Sequence, residues 1–338
     1  MSLFPETNTF GRTDMPFDDI PVPEPVLDQS VNDRYALYLG DSCEVIKGLP
    51  DNSVHFCLFS PPFSSQYTYS SSERDMGNCE SDAEFFEHFS FLIPELLRIT
   101  VPGRLAALHV KNLPMFKTRY GVTGLRDFRG ETIRAMQASG WVYHSEVCIW
   151  TDPVLEMQRT KVQRLLHKQV CADASLSGQG LAEYLVVFRK WDGLGSASGS
   201  PEPVRHEGGF AEYHGGNAPN VDGKSNYSID VWQRYASPVW FDIRRTDVLN
   251  VAVARADEDE KHLAPLQLEV VRRAVHLWTN PGDVVFSPFA GIGSELVGAM
   301  ELGRRAVGIE LKPEYFRQAV KNIQVLEAKG RQLSLLGA

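Results

Sequence analysis

The stretch Asp283-Val284-Val285-Phe286-Ser287-Pro288-Phe289-Ala290-Gly291-Ile292-Gly293-Ser294 decides the fold. Val284, Val285 and Phe286 form a short apolar run, as expected of a strand covered on both faces. Gly291 and Gly293 allow a positive φ or a close backbone approach. Ser294 is placed to cap a helix carrying Leu296, Val297, Ala299 and Met300. A strand, a glycine turn and a helix in this order present free backbone amides to a ligand. A second strand, Ala306 to Ile309, ends in Glu310, whose carboxylate can accept both hydroxyls of a ribose. The unit reads as half of a nucleoside-binding α/β fold. Taken alone, the same glycines would also serve close helix–strand packing.

The pattern recurs near the start of the chain. Tyr35 to Leu39 reads as a strand closed by Gly40-Asp41, and Ser42 can cap a helix through Val45, Ile46 and Leu49. Val54 to Phe59 is nearly all apolar and runs straight into Ser60-Pro61-Pro62-Phe63. Two prolines at a strand's carboxyl end fix a rigid, extended turn. Open α/β sheets bind ligands at that edge. The tetrapeptide therefore offers a hydroxyl, a preset carbonyl and an aromatic face to a flat, polar substrate edge; an ordinary proline turn is the plainer alternative. Further strands are expected over Leu105–Val110, Trp141–Trp150 and Ala182–Phe188. Helices are expected over Glu84–Ile99, Glu131–Ala138, Val154–Val170, from Lys261 onward past Leu277, and over Pro313–Glu327.

Composition narrows the class. No apolar run in the 338 residues approaches the roughly 20 needed to span a bilayer. The amino terminus shows no secretory pattern, and five cysteines lack metal-type spacing, so a reducing, cytoplasmic setting is expected, with no metal and no membrane. A net charge of −9 argues against a uniformly basic nucleic-acid binder. The charge is uneven, however: 14 Lys/Arg face 7 Asp/Glu between Arg98 and Lys190, against 6 and 12 between Trp191 and Glu260. One phosphate-facing surface in mid-chain is thereby allowed. Trp232, Tyr235 and Trp240 beside Arg234, Arg244 and Arg245 could stack on bases or simply pack on the core.

Taken together, the chain resembles the β group of amino-DNA methyltransferases, which methylate exocyclic base amines with S-adenosylmethionine. The matching pieces are Gly40-Asp41, Ser60-Pro61-Pro62-Phe63, Lys261-His262 with Pro265, Pro288-Phe289-Ala290-Gly291-Ile292-Gly293 and Gly308-Ile309-Glu310. The catalytic tetrapeptide precedes the cofactor turn, the permuted order of that group; RNA guanine and protein glutamine methyltransferases have the reverse order. The match is close over 34–63 and 261–325 and holds only in outline between them. The family turn commonly begins Asp-Pro-Phe, whereas this chain has Ser287, with Ile292 and Ser294 as further departures.

The resemblance implies an α/β, Rossmann-like methyltransferase fold with a mostly parallel sheet of about seven strands and helices on both faces. With the composition, it divides the chain into an acidic, proline-rich arm (1–33), a catalytic half (34–190), a linker and candidate target-recognition segment (191–260) given by the family order, and a cofactor half (261–330); the charge balance points instead to basic 111–180 for DNA contact, and both segments could contribute. The resemblance implies catalytic roles for Ser60, Pro61, Pro62 and Phe63. Cofactor contacts are implied for Asp41, His262, Pro265, Ser287, Phe289, Ala290, Gly291, Gly293, Ser294 and Glu310. Lys111, Lys117, Arg119, Arg159, Lys161 and Arg164 are the candidate DNA contacts. Ser at the first tetrapeptide position resembles the cytosine-N4 enzymes, with adenine N6 as the alternative, and an inactive DNA-binding module or an RNA methyltransferase further off. The implied partner is double-stranded DNA, bound by a monomer or homodimer; any restriction endonuclease would be a separate chain.

Overall fold

The computed structural model describes residues 26–64, 72–160, 167–193, 203–204, 234–249 and 265–336. Its centre is one nine-stranded sheet. The strands in chain order are β1 (Asp28–Val31), β2 (Tyr35–Leu39), β3 (Val54–Phe59), β4 (Thr100–Lys111), β5 (Leu113–Met115), β6 (Gly124–Arg126), β7 (Val142–Ile149), β8 (Glu183–Arg189), β9 (Val239–Trp240), β10 (Val284–Ser287) and β11 (Arg305–Glu310). The large sheet runs β1-β2-β11-β10-β3-β4-β8-β7-β9, and β5 and β6 form a separate small hairpin. Neighbours from β2 through β4 are parallel, while β8 is antiparallel to both β4 and β7.

The helices are α1 (Ser42–Val45), α2 (Asp82–Ile99), α3 (Lys117–Tyr120), α4 (Phe128–Ala138), α5 (Pro153–Thr160), α6 (His167–Ala172), α7 (Leu268–Trp278), α8 (Ser294–Glu301) and α9 (Pro313–Leu336). Strand alternation sorts side chains into two cores. In β10, Val284 and Phe286 join the core built with Phe85 and Phe89 of α2 and Phe128 of α4. Val285 faces the other core, with Val270 of α7, Leu296 of α8 and Phe316 of α9. The apolar run Val284–Phe286 of β10 is thus explained by helices on both faces.

The crevice of the sheet lies beside β10. From β10 the chain passes through α8 to β11 on one side; from β3, on the other side, it passes through α2 to β4. The carboxyl ends of β3 and β10 therefore flank a topological switch point, where such sheets bind ligands.

Two expectations need correction. The sheet has nine strands rather than about seven: β1 pairs antiparallel with β2 inside the stretch read as an arm, and two-residue β9 extends the far edge beside β7. Neither segment has an apolar run, and both owe their conformation to pairing with a strand already in place. Of the helix read over Val154–Val170, the described parts are α5 and α6, and 161–166 lie outside the described residues. Trp240 is buried in the core. The Arg273 guanidinium lies over the rings of both Tyr235 and Trp240 and pairs with Asp242 and Glu269, so these aromatics pack on α7. Trp232 lies outside the described residues.

Candidate active site

The glycine turn adopts the backbone its composition suggests. Gly291 has φ +53° and Gly293 φ +90°, both in the region favouring glycine. The two differ in purpose. A Cβ on Gly291 would meet nothing within 4 Å, whereas one on Gly293 would stand 3.2 Å from the Ala319 Cβ of α9. Gly293 thus brings α8 close to α9, and Gly291 leaves the turn open. The tips are tied together by backbone bonds from Ala290 N–H to the Ile309 carbonyl and from Gly40 N–H to the Glu310 carbonyl, 2.9 Å each. Ser42 Oγ donates to the Pro288 carbonyl.

Glu310 closes this arrangement. Its Oε2 accepts from Gly291 N–H at 2.7 Å, and its Oε1 accepts from Lys312 N–H at 2.8 Å. Burial pushes its carboxyl up to about 7 against these two donors, with Asp75 adding to the rise. A carboxylate has about four lone-pair sites, so these donors, with Leu311 N–H as a third, still leave acceptor capacity for a ribose hydroxyl.

At the end of β3, Ser60 Oγ donates to the His109 carbonyl at 3.1 Å. The His109 ring is held 3.2 Å from the Glu183 carboxylate, which also accepts from Gln267 at 3.4 Å. Phe63 is buried, with the Phe128 ring at 6.1 Å and the Lys111 ammonium 5.3 Å from its ring centre. The next residue, Ser64, turns the chain with φ +48°, a conformation rare outside glycine and concentrated at functional sites.

Both turns open onto one cleft of about 1170 Å³, its open mouth included. Asp41, Ser60, Pro61, Pro62, Phe63, Pro265, Phe289, Ala290, Gly291, Ser294 and Glu310 all line it. Gly293 supports the turn from behind. Ser287 lies fully buried beneath it, its hydroxyl without a partner. Asp41 caps α1 through Cys43 N–H at 2.9 Å and pairs with Arg74 at 3.1 Å. His262 and Lys261 lie outside the described residues.

The candidate DNA contacts scatter. Lys111 lines the cleft instead of an outer surface. Lys117 and Arg119 are exposed on α3, and Arg119 donates to the Glu80 carbonyl at 2.6 Å. Lys161, Arg164 and the Arg159 side chain lie outside the described residues. Much of the basic excess of mid-chain is neutralised locally: Arg126 pairs with Asp82, Arg129 with Glu146 and Arg134 with Glu131.

Sequence reasoning missed Arg74, Asp75, Met76, Glu295, Lys312 and Tyr315, which also line the cleft. Glu295 is the most unusual of these. It is 4% exposed on α8, and burial, reinforced by Glu310, pushes its carboxyl up to about 8. Its one sequence signal is a charged residue between the turn and the uncharged run Leu296–Met300.

Comparison with known proteins agrees with this geometry. The family profile described as DNA methylase, covering N6 and N4 methyltransferases, matches residues 54–321. The chain is similar to the Type II methyltransferase M.BamHI of Bacillus amyloliquefaciens, at 23% identity over 307 residues. That match spans 89% of this chain but 59% of the length of the relative. Among solved structures, the putative DNA modification methylase TTHA0409 of Thermus thermophilus, complexed with S-adenosyl-L-methionine, superposes with TM-score 0.58 at 21% identity, covering 87% of this chain and 95% of that one. The PvuII DNA methyltransferase, described as cytosine-N4-specific, superposes with TM-score 0.52 at 15% identity, covering 86% of each chain. The structural likenesses establish a shared Rossmann-like fold, and the profile spans most of the sequence. The chain belongs to the N6/N4 DNA methylase family.

Proposed function

We propose that this chain transfers a methyl group from S-adenosylmethionine to an exocyclic amine of a DNA base, cytosine N4 in preference to adenine N6. The residues present suit such a cofactor. Glu310 keeps acceptor capacity beside an open Gly291, and the buried Ser287 and Ser294 hydroxyls lack partners. When bound, the cofactor supplies an electrophilic methyl on a sulfonium.

The observation that carries the reading is the orientation of Ser60. Its hydrogen is committed to the His109 carbonyl, so its oxygen is left to accept from an N–H in the cleft. The Pro61 carbonyl, preset by the proline that follows, supplies a second acceptor. An exocyclic amine is a poor nucleophile because its lone pair is delocalised into the ring. Two acceptors drawing on its N–H groups favour a tetrahedral nitrogen and stabilise the positive charge that develops on it. Phe63 and the prolines exclude water and fix the plane of the base. A hydroxyl acceptor carries no charge, which supports cytosine over adenine by resemblance to the N4 enzymes. An amine inside a duplex is out of reach, so the base is flipped into the cleft.

Lys117 and Arg119 are suited to phosphate contact, with Arg159, Lys161 and Arg164 as further candidates, and 191–260 as the segment for target reading. All five cysteines are free, which supports action in a reducing cytoplasm. The test is Ser60→Ala assayed with tritiated cofactor on plasmid DNA. Transfer is expected to fall on the order of 10²-fold with cofactor affinity nearly unchanged. Undiminished transfer would overturn the assignment.

A further inference from the structure

We propose that the Glu295 carboxylate is the counter-charge for the α-ammonium of the bound cofactor's methionine group. The proposal rests on the cofactor reading above.

Glu295 is the second residue of α8 and lines the cleft. Residues 294–300 of that helix are all buried. Withdrawing a carboxylate from water is costly unless a partner is supplied. Among the described residues, no cation supplies it. The three cations lining the cleft are directed elsewhere: Arg74 to Asp41, Lys111 over Phe63 and Lys312 over Tyr315. The charged group nearest in effect is Glu310 on β11, another carboxylate. Two buried acids thus share one wall of the cleft, and among the described residues no cation pairs with either. A second, independent sign of a missing ligand is Ser294, which also lines the cleft and whose hydroxyl is buried without a partner.

A methionine end is a zwitterion, and this corner complements both of its charges. The positive end of α8 suits its carboxylate, while the Glu295 N–H turns back to its own carboxylate. Glu295, in the same turn, suits its ammonium. The remaining parts follow from the geometry. Glu310 is committed to the glycine turn and the ribose, and the sulfonium has to face the Ser60 turn at the end of β3. Charge complementarity therefore orders the cleft as ribose at Glu310, ammonium at Glu295 and methyl at Ser60. Glu295 is a binding residue in this scheme.

The test is calorimetric titration of the full chain and its Glu295→Gln variant with three ligands. S-adenosylmethionine has both the sulfonium and the ammonium. S-adenosylhomocysteine keeps the ammonium alone, and 5′-methylthioadenosine has neither. The expected result is a loss of about tenfold or more for the first two alike, with the third unchanged. Glu295→Asp, which keeps the charge on a shorter arm, is expected to weaken both amino-acid-bearing ligands alike relative to the unaltered chain and to leave 5′-methylthioadenosine unchanged, so it serves if the amide variant fails to fold. A loss confined to S-adenosylmethionine would assign Glu295 to the sulfonium and overturn the proposal. Equal losses for all three, or none, would overturn it too. If the unaltered chain binds neither S-adenosylmethionine nor S-adenosylhomocysteine, the cofactor reading itself fails.

Discussion

Glu310 illustrates how one side chain organises the cofactor end of the cleft. It joins the turn after β10 to the start of the segment after β11 through Gly291 and Lys312, while facing the cavity. Replacing it with alanine removes a charged acceptor and loosens the turn. Cofactor affinity is expected to fall by about 1.5–3 kcal/mol, read by titration calorimetry. The pair of raised carboxyls gives a second prediction. In the free site Glu295 titrates near 8 and Glu310 near 7 because both are buried. A bound cation favours their charged forms, lowers both values and expels protons. Binding at pH 7.5 should therefore release protons and weaken as pH falls. Titrations in buffers of different ionisation enthalpy should give different heats, and the difference should shrink in Glu295→Gln. Identical heats in all buffers would refute it. Legibility at this scale was uneven. The tetrapeptide and the turn stand out because proline and glycine constrain the backbone wherever they fall. Glu295 does not, since a lone Glu near a helix start reads as a favourable first-turn acid. Only the packing of α8 against α7 and α9 reveals it as buried. Lys111 reads as a phosphate contact, but its place at the end of β4 turns it over Phe63.

At the level of elements, the central strands carry the site, and one buried ion pair anchors their far end. Arg104 of β4 is 2% exposed and pairs with Asp283, just before β10. His55 of β3 stands in the same cluster: its Nδ1 accepts from Val284 N–H at 3.1 Å, and burial, with Arg104 adding, pushes its ring down to about 4. The cluster ties the amino ends of the strands whose carboxyl ends bear the two turns. Arg104→Met would leave Asp283 without its cation at low exposure. A loss of about 3–5 kcal/mol is expected in denaturant unfolding, with the cleft residues untouched. Among the seven strands foreseen, β2, β3, β10 and β11 were readable because parallel strands buried on both faces cannot hide their composition. β1 and β9 were unreadable for the converse reason: an edge strand is made by its neighbour. Gln29 pairs with Tyr38, and Val239 with Cys148, without any period of their own.

The whole molecule is acidic, yet its proposed ligand is a polyanion. Among the described residues, part of the basic excess of mid-chain is paired within the chain, Arg126 with Asp82, Arg129 with Glu146 and Arg134 with Glu131. The proposed DNA contact would then fall to exposed cations such as Lys117. Lys117→Ala is expected to weaken binding to unrelated sequences uniformly and to reduce the slope of log affinity against log salt by about 1. An unchanged slope would remove Lys117 from the phosphate surface. The most direct test of the function is nucleoside mass spectrometry of duplex DNA after incubation with the full chain and labelled S-adenosylmethionine. N4-methylcytosine is the expected product, and it should vanish with Ser60→Ala. N6-methyladenine would preserve the fold and the Ser60 chemistry but contradict the choice of base. Cofactor binding with no methylated base would contradict the proposed function itself.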